Sequence, residues 1–472
     1  MKIGYNTGKQ KTEGGFMKHT RLTVLNQGKP NHHNAVLYWM QSTQRVHDNA
    51  GLFAAIRYAN KHEKTLTVVF NVVYDYPDAN QRHYYFMLEG IEKVSQTLQS
   101  MGIVCIVTEG DFLTALKPLI DQAFAVFMDY PYGHYLSGIY RVITDYAKGL
   151  DLYCVQAESN VIVPVRIASQ KSEYGARTLR PKLERLKNDY LWLEELPKIN
   201  RKSNQANTPF NPSLEAYIKH LPIDHTIERS AYFTGGEDEA FKRLNQFIAH
   251  KLHHYLESND PSLQLTSTLS PYLHFGQISP VRVYLTVQDA CTLDQVNQAA
   301  CDAFLEQLLV RRELGFNYMT FQVGYDQFET MTERWAYETM SIHEGDQRAY
   351  LYDIADYIDC KTHDIYFNAA MKEMVVTGFM HNYMRMYWAK KIIEWSPDYQ
   401  TAYHNIVFLN NTYFLDGRDA NSYASIAWCF GKHDRAWTER DIFGKLRYMN
   451  AAGLKRKFNI DAYVAYTNQL TL

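Results

Sequence analysis

The chain has 472 residues and a mass of 55.0 kDa, with 46% hydrophobic and 21% charged residues, a composition typical of a globular protein large enough for two domains. These values exclude a disordered chain and a fibrous repeat protein. The 49 Lys and Arg residues nearly balance the 51 Asp and Glu residues, so a nucleic-acid partner would have to be held by a local basic patch.

Short runs of β-branched and aromatic residues alternate with helical patterns between Ala35 and Val165. Strands separated by helices of this length are typical of βαβ units, so the first domain is predicted to be α/β, with a parallel sheet covered on both faces. The predicted strands have the sequences AVLYWM, TLTVVFNVV, GIVCIVTEG, AFAVFMDY and LDLYCVQAES, and helices are predicted over residues 48–62 and 84–101.

The remaining boundaries follow from polarity and periodicity. Residues 1–34 are polar and are predicted to form a loose leader, which leaves 35–165 for the α/β domain. Residues 166–222 are polar and punctuated by proline, which predicts an interdomain linker. Helical periodicity dominates residues 223–472, so the second domain is predicted to be all-α.

The spacing of the cysteines and the absence of several known motifs argue against metal, nucleotide-loop and hydrolase chemistry. The six cysteines are far apart and form no C-x-x-C pair, so neither a zinc ribbon nor a disulfide framework is indicated, and no metal site is predicted. No dinucleotide, phosphate-loop, H-E-x-x-H or G-x-S-x-G motif occurs. No apolar run approaches the length of a membrane span, so we expect a cytoplasmic protein. The cysteines are Cys105, Cys154, Cys291, Cys301, Cys360 and Cys429.

Several long motifs occur in a fixed order along the chain. Together they resemble the photolyase and cryptochrome family, and within it the class II cyclobutane pyrimidine dimer photolyases. The motifs are YWMQSTQRVHDNAGL, EYGARTLRPKL, LTSTLSPYLHFGQISP, FLEQLLVRREL, TGFMHNYMRMYWAKKIIEW, FLNNTYFLDGRDANSYASIAW and GKHDRAW.

This resemblance implies a Rossmann-like antenna domain followed by a helical domain that binds FAD. It also implies light-driven repair of pyrimidine dimers in DNA, in which the fully reduced flavin donates an electron to a flipped lesion and the cofactor carries the hard chemistry. A deazaflavin or folate antenna chromophore, a monomeric state and, in a prokaryote, association with the nucleoid are further expectations.

Two features suggest how a cofactor would be held. Hydroxyl groups cluster between Thr266 and Ser270 just before Pro271, where they either bind a pyrophosphate or simply cap a helix. Arg385 lies on a helix rich in Met, Tyr and Trp, where a buried guanidinium needs a carboxylate, and Asp416 is the best candidate. The alternative for this pair is a purely structural ion pair.

The resemblance assigns roles to individual residues. It places Asn410 near the flavin N5, with Asn411 as the alternative, and it makes Trp388 and Trp395 part of the tryptophan chain that reduces the flavin. The implied FAD contacts are Tyr255, Thr266, Ser267, Thr268, Leu269, Ser270, Arg385, Asn410, Asp416 and Asp419.

For the DNA, Trp428 resembles the aromatic wall on which the dimer packs, with Met386 below it and Glu306 or its neighbour offering a carboxylate. The segment 432–457 carries eight Lys or Arg against three acidic residues, a local charge of +5 that predicts a phosphate track. A solvated helical face is the alternative. The predicted phosphate contacts in this segment are Lys432, Arg435 and Arg447.

Three positions depart from the family pattern: Gln307, Ser258 and Phe367. Gln307 replaces the second Glu of the pair near the lesion, and Ser258 stands where an Arg is common. Phe367 replaces a tryptophan and is much harder to oxidise, so electron transfer should fail there unless Tyr366, Tyr352 or Trp395 takes over.

These departures motivate two rival hypotheses. One is a cryptochrome-like blue-light sensor that has lost repair activity. The other is a light-independent flavoprotein that binds DNA or RNA. The coverage of the motifs makes repair the leading prediction.

Overall fold

The computed structural model describes residues 21–205, 207, 210, 212–293 and 296–471. A six-stranded sheet with flanking helices occupies the first part of the chain, and helices form the rest. Among the described residues, no helix combines the length and the apolar character required to cross a bilayer.

The sheet has the strand order β1-β6-β5-β2-β3-β4. Strands β2 to β6 pair in parallel, as the βαβ pattern predicted. The edge strand β1 pairs antiparallel with β6, so the sheet is mixed, and the stretch predicted as a loose leader contains a strand. The strands are β1 Leu22–Asn26, β2 Ala35–Trp39, β3 Thr65–Val72, β4 Val104–Glu109, β5 Ala123–Asp129 and β6 Tyr153–Ala157.

The central parallel strands are buried on both faces of the sheet, as is typical of parallel sheets. Every residue of β5 is buried, because helices cover both faces of the sheet. The longest of these helices starts at the N-cap Asn80, whose side chain accepts from Arg82 N, and stops at Gly102, which has a left-handed φ of 80°. The helices of this region are α1 Ala50–Lys61, α2 Gln81–Met101, α3 Phe112–Ile120 and α4 His134–Gly149.

The described part of the segment predicted as an interdomain linker contains helices. They are α5 Val165–Ala168, which begins one residue before the segment, α6 Ala176–Leu186 and α7 Leu214–His220. Leu179 and Leu183 of α6 are buried in the same apolar cluster as residues of the helical region. This part of the predicted linker is therefore packed structure, because its few apolar residues recur at helical spacing.

The helical region follows from residue 237. A π-helical turn over Gln307–Arg311 joins two of its helices without a break, and such turns are frequent at functional sites. The helices are α8 Glu237–His250, α9 Ser270–His274, α10 Pro280–Leu293, α11 Gln298–Glu306, α12 Arg312–Phe321, α13 Arg334–His343, α14 Ile354–Ile358, α15 Ile365–Thr377, α16 Asn382–Trp395, α17 Tyr399–Tyr413, α18 Ala420–Cys429, α19 Ala451–Lys457 and α20 Ile460–Asn468.

Buried arginines join the two regions. Arg45 follows β2 and donates to the carbonyl oxygen of Gly276 at 2.8 Å. Arg82 of α2 donates to the carbonyl oxygens of Val375 at 2.6 Å and Tyr413 at 3.1 Å, in the last turns of α15 and α17. A cation is favourable at a helix C-terminus, so the α/β region supports the helices that carry the site.

One pairing was missed by the sequence analysis. Cys291 of α10 and Cys301 of α11 form a disulfide bond, with their Cα atoms 6.3 Å apart. Their separation of ten residues resembles no recognised motif, and only the packing of α10 against α11 brings them together.

Candidate functional site

A cavity of about 460 Å³ opens in the helical region. Its walls come from the loop before α9, the junction of α11 and α12, and the helices α16, α17 and α18. The predicted site residues that line it are Tyr255, Thr266, Ser267, Thr268, Leu269, Ser270, Arg385, Met386, Trp388, Asn410, Asp416, Asp419 and Trp428.

The hydroxyl-rich loop forms one end of the cavity. Thr268 has a left-handed φ of 54°, an uncommon conformation for a residue with a side chain. Arg243 Nη1 donates to Thr268 Oγ1 at 3.2 Å, and Lys251 Nζ donates to the carbonyl oxygen of Thr266 at 3.4 Å. Two cations therefore support the loop from outside, which suits an anion on the cavity side.

Neither Arg243 nor Lys251 was predicted from the sequence. Both precede the loop by 15 residues or more, and nothing in their local pattern separates them from other basic residues. Burial, followed by the nearby Arg243 charge, lowers the pKa of Lys251.

Arg385 and Asp416 form an ion pair in the cavity wall, in which Nη2 donates to Oδ2 at 3.1 Å and lies 3.0 Å from Oδ1. This is the partner that the sequence analysis assigned to Arg385. The guanidinium also donates to the carbonyl oxygen of Met380 at 3.0 Å and lies 3.9 Å from the ring centroid of Phe414. Asp416 is buried, and only its Oδ2 accepts the hydrogen bond of the ion pair. Its Oδ1 lies close to the guanidinium but accepts no hydrogen bond from the described residues, so it can accept an N–H from a bound molecule.

Asn410 and Asn411 make different contacts. Asn410 lines the cavity, and its Nδ2 donates to Asn411 Oδ1 at 3.0 Å. Asn411 points elsewhere: its Nδ2 donates to Asp78 Oδ2 at 3.0 Å, and its Oδ1 accepts from Arg418 N at 3.0 Å. Asn410 is therefore the amide that faces the cavity.

Asp419 is the N-cap of α18 and pairs with His274 Nδ1 at 3.1 Å. Burial opposes ionisation of Asp419, but the hydrogen bond from His274 and the Arg312 charge outweigh it and lower the pKa to about 2. His274 lines the same cavity and was not predicted. The sequence could have indicated this residue, because His274 lies in SPYLHF, four residues after Ser270 of the predicted loop.

Trp428 lies in the last turn of α18 and lines the cavity. The Arg447 guanidinium is 5.1 Å from the Trp428 ring centroid and 4.2 Å from that of Trp437. Arg435 lies 4.9 Å from the Trp437 centroid. Arg435 and Arg447 do not line the cavity. They form a series with the two tryptophans that begins at Trp428 in the cavity wall and continues through Arg447 and Trp437 to Arg435.

Two residues predicted to contact DNA are already paired within the protein. Glu306 does not line the cavity. Its carboxylate accepts two hydrogen bonds from Arg180, at 3.0 and 2.6 Å, and lies 3.6 Å from Arg311. The neighbouring Gln307 lines the cavity instead.

Lys432 is the second of these residues. It is only 4% exposed, and its Nζ donates to Glu333 at 2.7 Å and to Gln322 at 3.0 Å. In this conformation the ammonium is buried and held by a carboxylate and an amide, so it is not presented to a phosphate.

The two predicted tryptophans of α16 have different environments. Trp388 lines the cavity, and its Nε1 donates to Met371 Sδ at 2.9 Å. Trp395 is buried outside the cavity, with ring centroids 5.2 Å from Phe367 and 5.5 Å from Tyr352. Tyr352 OH is 2.8 Å from His363 Nδ1.

Comparison with known proteins gives consistent results. Residues 36–201 match the DNA photolyase family. Over 448 residues the chain is 42% identical to the deoxyribodipyrimidine photo-lyase of Methanothermobacter thermautotrophicus, covering 94% of this chain and 97% of that protein.

Two solved structures share the fold. The cryptochrome of Synechocystis sp. PCC6803 is 18% identical and superposes with a TM-score of 0.71 over 92% of this chain and 89% of that chain. An archaeal photolyase from Sulfolobus tokodaii, solved with two FAD molecules, is 14% identical with a TM-score of 0.66, over 92% and 89% of the two chains. The near-complete match to an archaeal relative, together with this fold, shows that the chain belongs to the DNA photolyase family.

Proposed function

We propose that this protein repairs cyclobutane pyrimidine dimers in DNA by light-driven electron transfer, with FAD in the cavity, and that it is a class II photolyase. The observation that carries the proposal is a cavity that combines three features. A hydroxyl-rich loop backed by two cations forms one end, a buried ion pair lies in the wall, and a tryptophan lies beside a series of cations and indoles. When bound, the reduced flavin supplies the excited electron that opens the dimer.

The residues of the cavity fit FAD. The loop from Thr266 to Ser270, supported by Arg243 and Lys251, would hold the pyrophosphate. Asp416 retains an acceptor for a ring N–H, and Arg385 supplies a positive charge that favours an anionic reduced flavin. Asn410 offers an amide that can donate or accept.

The other wall fits a flipped base. Trp428 offers an aromatic face, on which stacking contributes about 1–3 kcal/mol per base. Met386 lines the same cavity and adds an apolar surface. Outside it, Arg435 and Arg447 lie where phosphates of the flanking strand would approach.

A direct repair assay tests this function. Anaerobic, chemically reduced protein is mixed with an oligonucleotide that contains one thymine dimer, and intact thymines are counted after blue light and in darkness. We expect recovery in the light only. A protein that retains reduced FAD but splits no dimer would contradict the proposal. The cryptochrome-like sensor would then be the next hypothesis, although the full-length match to a photo-lyase does not favour it.

A deazaflavin or folate antenna belongs to the same proposal. It would be detected as a second chromophore released with FAD when the purified protein is denatured.

We predict that Gln307, not Glu306, contacts the lesion. Its amide can donate to a thymine carbonyl and accept from the ring N–H, and such a pair contributes about 1–3 kcal/mol. Gln307→Ala should therefore weaken dark binding to dimer-containing DNA. Glu306→Gln is the matched control and should leave this binding nearly unchanged, because Glu306 pairs with Arg180. The reverse order of effects would refute the assignment.

We also predict the route of light-dependent flavin reduction. Trp388 and Trp395 are seven residues apart, about 10 Å along the helix, and Tyr352 beside Trp395 can pass its proton to His363. With a soluble electron donor present, Trp395→Phe should abolish the absorbance change of reduction, and Tyr352→Phe should slow it. Tyr366 donates to Asp461 instead, so Tyr366→Phe is the control. Equal rates in all three variants would exclude this route.

A further inference from the structure

Lys390 of α16 is a charged residue with no exposed surface. Lysine is rarely fully buried unless it is paired, yet no carboxylate in the described part of the chain forms an ion pair with it. Its Nζ donates to one group, the carbonyl oxygen of Cys429, at 2.5 Å. Its burial needs an explanation that packing alone does not supply.

The surroundings of Lys390 connect it to the cavity. Cys429 is the last residue of α18, where the helix dipole favours a cation. Trp428 precedes it, and the Lys390 Nζ lies 5.8 Å from the Trp428 ring centroid and 5.8 Å from that of Phe443. A cation within about 6 Å of a ring centroid is attracted to the ring.

Trp428 lies near a second cation as well, Arg447. Arg447 lies 5.1 Å from the same ring, and its Nε is held by Asp434 Oδ2 at 3.1 Å. Arg447 is partly exposed and could move when DNA binds. Lys390 is fully buried, and its side chain extends from α16 to the end of α18.

We propose that Lys390 is a positioning residue, whose buried ammonium fixes the end of α18 and the Trp428 indole in the orientation that binds the lesion. This inference rests on the proposed function, because it assumes that Trp428 is the lesion wall. Lys390 would act only through Trp428 and would not itself contact the DNA.

The proposal predicts a pH dependence. Burial lowers the pKa of Lys390 to about 8, while Cys429 and Asp434 raise it and Arg447 lowers it further. The Cys429 thiol stays protonated here, because burial raises its pKa to about 11. As the pH rises through 8, Lys390 loses its charge and its attraction to the indole. Selectivity for dimer-containing DNA should therefore fall between pH 7 and pH 9.

The neighbouring residue provides a matched control. Lys391 is also buried, at 6% exposure, but its Nζ pairs with Glu394 at 2.6 Å and lies near the rings of Tyr387 and Trp395. Lys390→Met and Lys391→Met remove the same charge from the same helix, one beside Trp428 and one away from it. Replacing a buried charge by an apolar side chain of similar volume is often tolerated.

The experiment measures dark binding of FAD-loaded protein to one duplex with and without a thymine dimer, from pH 6.5 to pH 9. We expect Lys390→Met to lose about 2- to 30-fold of the selectivity at pH 7 and to show a flat pH profile, while Lys391→Met behaves like the unaltered protein. A double variant with Trp428→Ala should be no worse than Trp428→Ala alone. Unchanged selectivity and pH profile in Lys390→Met would overturn the proposal.

A second measurement tests the positioning role even if Lys390→Met does not fold or the protein does not bind damaged DNA. The near-ultraviolet circular dichroism of Trp428, taken as the difference between the unaltered protein and Trp428→Phe, needs no DNA. It should change between pH 7 and pH 9 if Lys390 orients the indole, and a constant signal would overturn the positioning role. Absence of dimer selectivity at every pH, with this signal changing, would refute the proposed repair function while supporting the role of Lys390.

Discussion

Asp416→Ala is expected to yield protein that has lost most of its FAD and unfolds at a lower temperature. The substitution leaves the Arg385 guanidinium, 21% exposed, without its carboxylate. Breaking a buried pair in this way costs about 3–5 kcal/mol, and the partial exposure of Arg385 favours the lower end. The acceptor offered to the flavin is lost at the same time. Flavin absorbance per polypeptide and the melting temperature check this result.

A surface pair serves as the control. Asp359 pairs with Lys361 at 2.7 Å, with both side chains more than half exposed, and such pairs contribute about 0–1 kcal/mol. Asp359→Ala should therefore keep its FAD and its melting temperature. If Asp416→Ala behaves like Asp359→Ala, the pair neither holds the cofactor nor stabilises the fold.

Trp428→Ala is expected to keep FAD and the fold but to bind dimer-containing DNA hardly better than intact DNA. Stacking of a base on an aromatic side chain contributes about 1–3 kcal/mol, which corresponds to about 5- to 150-fold in affinity. The ratio of dissociation constants for damaged and intact duplexes, measured in the dark, reports this loss directly.

Trp192 provides the matched control for this substitution. It is 41% exposed, does not line the cavity, and donates from Nε1 to the carbonyl oxygen of Asp189 at 3.0 Å. Trp192→Ala removes an indole of the same size and should leave the discrimination unchanged. Equal loss in both variants would point to a general effect on stability and would remove Trp428 from the lesion site.

Residues whose role is set by a local motif could be predicted from the sequence. The run from Thr266 to Ser270 lines the cavity as a continuous segment. The pairing of Arg385 with Asp416 followed from a rule that does not depend on the fold, since a buried guanidinium requires a carboxylate.

Two predicted DNA contacts have partners that lie far away in the chain. Glu306 is held by Arg180, 126 residues earlier, and Lys432 is held by Glu333, 99 residues earlier. A local count of charges treats both as available. Only the tertiary structure shows that they are already paired.

The sequence by itself determined the βαβ alternation, the helical second half, the hydroxyl-rich loop and the family resemblance, because these are encoded in local periodicity and in continuous motifs. The antiparallel edge strand, the Cys291–Cys301 bond and the cations behind the loop and behind Trp428 were decided by the tertiary structure alone. The physical reason is that burial, pairing and orientation of a side chain depend on segments that meet only when the chain is packed.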